Sequence, residues 1–100
     1  MDGNAVALAG EIVETEPLRH TPAGLPIVEF KLAHRSVQLE AGYRRQVECE
    51  VRCVALGQAA EGLARAPERT AVSVTGFLDR RNRMSAQLVL HATNIEIVKE

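Results

Sequence analysis

Residues 47–54, Val-Glu-Cys-Glu-Val-Arg-Cys-Val, alternate small or apolar side chains with charged ones over most of their length. Successive side chains of a β-strand point to opposite faces of a sheet. The period of two therefore predicts a strand with one buried face and one solvated face. This strand lies in the middle of the chain, and the sequence on either side of it decides the fold.

Four further stretches have strand character, two on each side of the central one: residues 6–12, 27–36, 72–78 and 87–98. The second of these places Val28, Phe30 and Leu32 on one face. The last has apolar residues on both faces for part of its length, as expected of a strand that is covered on both sides.

The connections between these strands have turn or helix chemistry. Pro17 ends the first strand, and residues 21–26, Thr-Pro-Ala-Gly-Leu-Pro, form a loop. Residues 38–42 are predicted to connect the second strand to the third. Residues 58–65 are rich in helix-forming side chains and stop before Pro67, which predicts one short helix or an irregular loop.

The order of elements predicts an all-β fold, a five-stranded OB-fold Greek-key barrel with one short helix or loop between strands 3 and 4. One hundred residues suit one core, so we expect a single domain over residues 1–100. In this fold the second and third strands, with the loops after the first and fourth strands, bind nucleic acid or sugar. The fold alone does not decide the function.

Composition narrows the class of protein. With 46% hydrophobic and 25% charged residues the chain is typical of a soluble globular protein. No apolar run is long enough for a membrane span and the N-terminus lacks a basic signal-like start, so we expect a cytoplasmic protein with no membrane partner. Cys49 and Cys53 lie four residues apart in a strand, too far apart for a disulfide, and we expect both to be reduced and buried.

Catalytic motifs are missing from the sequence. It has no phosphate-binding glycine loop, no nucleophile elbow and no cluster with metal-ligand spacing. His20, His34 and His91 are scattered, and each is interpreted as a surface or packing histidine. The chain is therefore predicted not to be an enzyme, with no catalytic residues, no metal and no cofactor.

The distribution of charge is more informative than the net charge of −1. Ten of the twelve cationic residues are arginines, which suit phosphate and stacking contacts. The basic residues form four groups in the strands and loops with which an OB-fold binds its ligand: Arg19 with His20, His34 with Arg35, Arg44 with Arg45, and Arg80, Arg81 and Arg83.

These groups and one aromatic residue form the candidate nucleic-acid site. Tyr43 is the only aromatic side chain expected to be exposed, because Phe30 and Phe77 fall in apolar stretches. The predicted site consists of Arg19, His20, Arg35, Tyr43, Arg44, Arg45, Arg80, Arg81 and Arg83. Two plainer interpretations stay open: the loop with three arginines is a solvated turn, and the tyrosine is an edge or interface residue.

Several motifs together resemble the primosomal replication protein N family, known as PriB. The resemblance runs nearly end to end, and its most specific part is His34-Arg35-Ser36-Val37-Gln38 followed by Glu40-Ala41-Gly42-Tyr43. The remaining motifs are Pro17-Leu18-Arg19, Pro22-Ala23-Gly24-Leu25-Pro26, Val74-x-Gly76-Phe77 and Leu88-Val89-Leu90-His91-Ala92. One position departs from the family, since Glu48 stands where relatives carry a stacking Trp.

The resemblance implies a homodimer that binds single-stranded DNA, engages the PriA helicase and helps to bring DnaT to a stalled replication fork. The first strand carries no charge before Glu11, which agrees with a dimer, because an open strand edge without charges pairs readily with a second copy. Two alternatives remain: a protein-interaction module with weak or vestigial DNA binding, and a domain that binds sugar or RNA.

Overall fold

The computed structural model describes residues 2–98, which form six strands and one helix. Their bounds are β1 Val6–Thr15, β2 Arg19–His20, β3 Pro26–Glu40, β4 Tyr43–Leu56, α1 Gln58–Ala64, β5 Ala71–Arg80 and β6 Leu88–Ile97. The predicted OB-fold barrel is confirmed, with the helix between β4 and β5. The two-residue β2 lies within the predicted first loop and pairs with the start of β3.

The barrel closes because β1 pairs with two neighbours. Its first half pairs with β5 and its second half, from Glu11, pairs with β3, giving the circular order β1-β5-β6-β4-β3. A Cβ atom added at Gly10 would lie 2.3 Å from the carbonyl oxygen of Ala33. The glycine therefore allows the close approach of β1 to β3, while the register shift in β1 falls later, between Ile12 and Glu14.

The inward faces of the strands build the core as their alternation predicts. Val28, Phe30 and Leu32 of β3 are buried together with Ile12 of β1. Helix α1 closes one end of the barrel with two buried residues, Ala60 and Leu63.

The two ends of the barrel carry different loops. Helix α1 and the loop that follows β1 both lie at one end. The β3–β4 turn and the β5–β6 loop, residues 81–87, lie at the other, because β4 runs parallel to β6 and pairs Cys53 with Leu90. The β3–β4 hairpin continues past the point where β1 stops pairing with β3, so it projects beyond the barrel at the second end.

The prediction that residues 38–42 form a connection is corrected. The strand continues to Glu40, which pairs with Tyr43, and only Ala41 and Gly42 form the turn. Their φ angles of 53° and 82° are both positive, as in the tight two-residue turns that match the twist of a hairpin. Strand pairing therefore replaces most of the expected loop.

Two burial predictions are also wrong. Cys49 is exposed whereas Cys53 is buried, because Cys49 lies opposite His34 in the part of the hairpin that has left the barrel. Phe77 is 39% exposed, so Tyr43 is not the only exposed aromatic residue. Phe77 lies on the outer face of β5, one residue after Gly76. The alternation of the strand turns its side chain away from the core.

Within the described part of the chain, no helix is long and apolar enough to cross a membrane.

Candidate nucleic-acid interface

The β3–β4 hairpin presents two faces, and the strand register assigns each residue to one of them. One face continues the barrel core and carries His34 opposite Cys49. The other is the outer face of the sheet, where Arg35 lies opposite Glu48 and Leu39 lies opposite Arg44. Arg35 and Arg44 therefore share the outer face.

Arg35 is paired on this face. Its guanidinium donates to Oε1 of Glu48 at 2.7 Å, the carboxylate at the position where the family resemblance expects a stacking Trp. Arg44, two residues from the turn, has no carboxylate within 4.0 Å among residues 2–98. Its neighbours Val37 and Leu39 are 54% and 74% exposed, so the outer face of the tip is apolar as well as basic.

Tyr43 and Arg45 lie on the opposite face of the hairpin, because their strand partners are Glu40 and Gln38. Tyr43 is 75% exposed. Arg45 forms an ion pair with Glu40. These two predicted site residues are near Arg44 in sequence but point to the other side of the sheet.

The β5–β6 loop is shaped by its own hydrogen bonds. The amide of Met84 donates to Oδ1 of Asn82 at 2.9 Å, and the amide of Arg81 donates to the carbonyl of Gln87 at 2.9 Å. The side chain of Arg80 turns back to the carbonyl of Arg83 at 3.5 Å. In the described residues, Arg81 and Arg83 have no carboxylate partner within 4.0 Å.

Arg19 and His20 lie at the opposite end of the barrel from the other groups. Arg19 pairs with Ile27 through β2 and its guanidinium contacts Glu29 at 2.7 Å. Ile27 and Arg35 are eight residues apart on β3, which is about 26 Å along an extended strand. The structure therefore brings the hairpin and the β5–β6 loop to one end and leaves the first-loop pair at the other.

Two cations on the outer face were missed by the sequence interpretation. Lys31 and Arg52 lie directly opposite each other on β3 and β4. Lys31 contacts Glu14 at 3.5 Å, whereas Nε of Arg52 is buried without a hydrogen-bond partner. Each lies at an outward-facing position of an alternating strand. That position could have identified both residues as outer-face cations from the sequence alone.

The histidines have structural contacts or exposed positions. Nδ1 of His34 lies 2.6 Å from the carbonyl oxygen of Ala9, and its Nε2 lies 2.8 Å from Oγ of Ser36. The imidazole therefore bridges β1 and β3 where the two strands separate. No three potential metal ligands cluster among residues 2–98.

Comparison with known proteins gives consistent matches. Residues 4–94 match the model of a family described as another single-strand binding protein family. The replication restart protein PriB of Nitrosomonas europaea is 43% identical over 95 residues, covering 95% of this chain and 88% of that protein. PriB of Serratia proteamaculans is 34% identical, covering 98% and 96%.

Solved structures agree with these relatives. The structure of PriB from Ralstonia solanacearum superposes with a TM-score of 0.87 and 35% identity, covering 94% of this chain and 96% of that one. A deletion mutant of the single-stranded DNA-binding protein of Thermus aquaticus gives a TM-score of 0.76 and 25% identity, covering 96% of this chain and 50% of that one.

Proposed function

The chain belongs to the PriB family of single-strand binding proteins, and on that premise we propose that it binds single-stranded DNA and acts in replication restart. The proposal is supported chiefly by the basic surface at one end of the barrel. Arg44 of the hairpin and Arg81 and Arg83 of the β5–β6 loop lie at that end without carboxylate partners among residues 2–98.

A single strand of DNA needs cations for its phosphates and flat groups for its bases. Arginine supplies a charged plane that serves both purposes. The proposed contacts at this end are Arg35, Tyr43, Arg44, Arg45, Arg80, Arg81 and Arg83. Arg19 and His20 would extend the path only for a strand long enough to reach the other end of the barrel.

The protein's role in restart would be that of an accessory factor. We propose that it engages the PriA helicase on DNA and helps to bring DnaT to the stalled fork, with no catalysis of its own. The assembly would then depend on a DNA surface and a protein surface that are used together.

A homodimer is part of the same proposal. Among the described residues, β1 pairs with β3 only from Glu11 onward, so the edge of residues 6–10 faces a groove lined by Gly10, His34 and Cys49. This stretch carries no charge, and uncharged strand edges pair readily. Light scattering at tens of micromolar should give twice the mass of 10.9 kDa, and a monomer mass would contradict the dimer.

Fluorescence anisotropy of a labelled oligo-dT tests the DNA proposal. Binding should be measurable at about 50 mM salt and should weaken steeply by about 200 mM, because phosphate contacts release counterions. A protein that retains no oligonucleotide at the lower salt concentration contradicts the proposal.

A protein-interaction module with vestigial DNA binding is the second candidate, and one feature favours it. Val37 and Leu39 expose apolar side chains at the tip of the hairpin. A Val37→Ser/Leu39→Ser double variant should then lose affinity for the PriA helicase, measured by calorimetry in the absence of DNA. Under this candidate the unmodified protein would bind the helicase but not oligo-dT.

A further inference from the structure

Phe77 and His91 form a stacked pair of rings on the outer face of β5 and β6. They are direct cross-strand partners. Their ring centroids are 4.9 Å apart and the ring planes differ by only 4°. Phe77 is nevertheless 39% exposed, so the imidazole covers only part of the ring.

The uncovered side of Phe77 faces a groove on the β1 side. β5 lies between β1 and β6, so His91 flanks the phenyl ring from β6 and the N-terminal end of β1 flanks it from the other direction. The groove is lined by Phe77 with Ala5, Ala7, Thr75 and Thr93, among others. The register of β1 with β5 places Ala5 beside Phe77, and a methyl group is too small to cover a phenyl ring.

Asn4 fixes this wall of the groove. Its Nδ2 donates to the carbonyl of Leu78 at 2.8 Å, and its Oδ1 accepts from the amide of the same residue at 3.0 Å. The amide side chain thus replaces one step of strand pairing just before β1 begins. Ala5 is consequently held next to Phe77, and the open ring face belongs to a defined groove.

A cation follows the end of β5 directly. Phe77 and Asp79 share the outer face of the strand, which ends at Arg80, and Arg81 is the first residue of the β5–β6 loop. The distance from Phe77 to Arg81 is about 13 Å along an extended chain. Oδ1 of Asp79, which lies between them, accepts a hydrogen bond from the amide of Arg80 at 2.7 Å.

We propose that Phe77, backed by His91, is a base-stacking subsite that receives a nucleobase of single-stranded DNA in the groove beside Ala5, with Arg81 contacting a phosphate of the same strand. This inference rests on the proposed DNA binding and extends it to the β5–β6 side of the barrel. Stacking on an aromatic ring tolerates any base, because every base has a π-face. The backing imidazole holds the phenyl ring in one orientation, which reduces the ordering cost of stacking.

The subsite can be tested by fluorescence because the chain contains no tryptophan. A Phe77→Trp variant should bind oligo-dT at least as tightly as the unmodified protein, and its emission should be quenched when DNA is added. The control is Ile97→Trp, an exposed apolar position on β6, six residues beyond His91 and about 20 Å along the strand. Its emission should not change.

Affinity provides the second measurement. Phe77→Leu keeps an apolar side chain but removes the flat ring, so it should weaken oligo-dT binding by roughly 5- to 100-fold with an unchanged salt dependence. Unchanged affinity of Phe77→Leu, with unquenched Phe77→Trp that still binds DNA, overturns the subsite and leaves the proposed function intact. If the unmodified protein binds no oligo-dT, the stacking subsite and the proposed DNA binding are both contradicted.

A second copy of the chain is the competing occupant of the groove. In that case the emission of Phe77→Trp would change with protein concentration in the absence of DNA, and DNA would have no effect on it. That result overturns the proposal and assigns the face to self-association.

Discussion

Nε of Arg35 donates a hydrogen bond to Oε1 of Glu48 at 2.7 Å across the β3–β4 hairpin. Both side chains are largely exposed, at 83% and 66%. An exposed ion pair contributes only about 0–1 kcal/mol to stability. Arg35 can therefore exchange the carboxylate for a phosphate at low cost, and Glu48 competes with DNA for the guanidinium.

Replacing Glu48 by Gln should accordingly strengthen DNA binding. The neutral amide releases the guanidinium and removes an anion from the proposed path of the phosphates. We expect the affinity for oligo-dT to rise by roughly 3- to 10-fold, with the free energy of unfolding changed by less than about 1 kcal/mol. Anisotropy titrations and urea unfolding measure the two quantities.

Glu50→Gln is the matched control for this change. Glu50 lies on the same strand and face, but its cross-strand partner is Ala33, and no cation of the described residues lies within 4.0 Å of it. The substitution changes the net charge equally. An equal gain from both variants would mean that overall charge, rather than the Arg35 pair, limits binding.

The β5–β6 loop should account for part of the salt dependence. The double variant Arg81→Ala/Arg83→Ala removes two unpaired guanidiniums and should lower the log-log salt slope by about 1.4, at about 0.7 per phosphate contact. Arg65→Ala removes one guanidinium at the C-terminal end of α1, at the other end of the barrel, and should leave the slope unchanged. An unchanged slope for the Arg81→Ala/Arg83→Ala variant would identify the loop as a solvated turn.

The sequence predicts the core well because alternation is a local property. Val28, Phe30 and Leu32 are buried as expected from their spacing alone. Alternation does not reveal where neighbouring strands stop, so it predicts a buried Cys49 although the hairpin has left the barrel at that residue. Whether Cys49 is buried depends on where β1 stops pairing with β3, and β1 is far from Cys49 in sequence.

The candidate site is less predictable because its contacts join residues from different strands. Arg35 and Glu48 are 13 residues apart, and they meet only in one register of β3 with β4. The stack of Phe77 on His91 likewise requires the pairing of β5 with β6. Residue types and loops can be predicted from the sequence, whereas the partner of each guanidinium depends on the register of the folded sheet.

The buried thiol provides a test of the core. Burial raises the pKa of the Cys53 thiol to about 12, so little nucleophilic thiolate forms at pH 8. In a Cys49→Ser variant the remaining thiol should react with an aromatic disulfide reagent only as fast as the protein unfolds. The same variant in denaturant is the control and should react at once. Rapid labelling under native conditions would contradict the burial of Cys53.

The same pKa shift predicts a loss of stability in alkali. The raised pKa of Cys53 means that the folded state holds this proton more tightly than the unfolded state, whose thiol titrates near 9.0. The contribution of the protonated Cys53 thiol to the free energy of unfolding is therefore complete below pH 9. It decreases as the pH rises from 9 toward 12. Urea unfolding of the protein and of a Cys53→Ala variant should show a smaller decrease for the variant over this range; equal decreases would exclude a contribution from Cys53.

Gly76 should tolerate no side chain, and it lies where the pairing of β5 with β6 shifts register. A Cβ atom there would lie 1.7 Å from the carbonyl oxygen of His91, a backbone atom that cannot move without breaking the pairing of β5 with β6. Gly76→Ala should lower the free energy of unfolding by about 3 kcal/mol or more.

Gly62→Ala is the control, because that position lies in α1 with open space around it. There alanine should raise the free energy of unfolding by about 0.5 to 1 kcal/mol. Urea denaturation of both variants measures the difference, and similar stabilities would contradict the close approach of the two strands at Gly76.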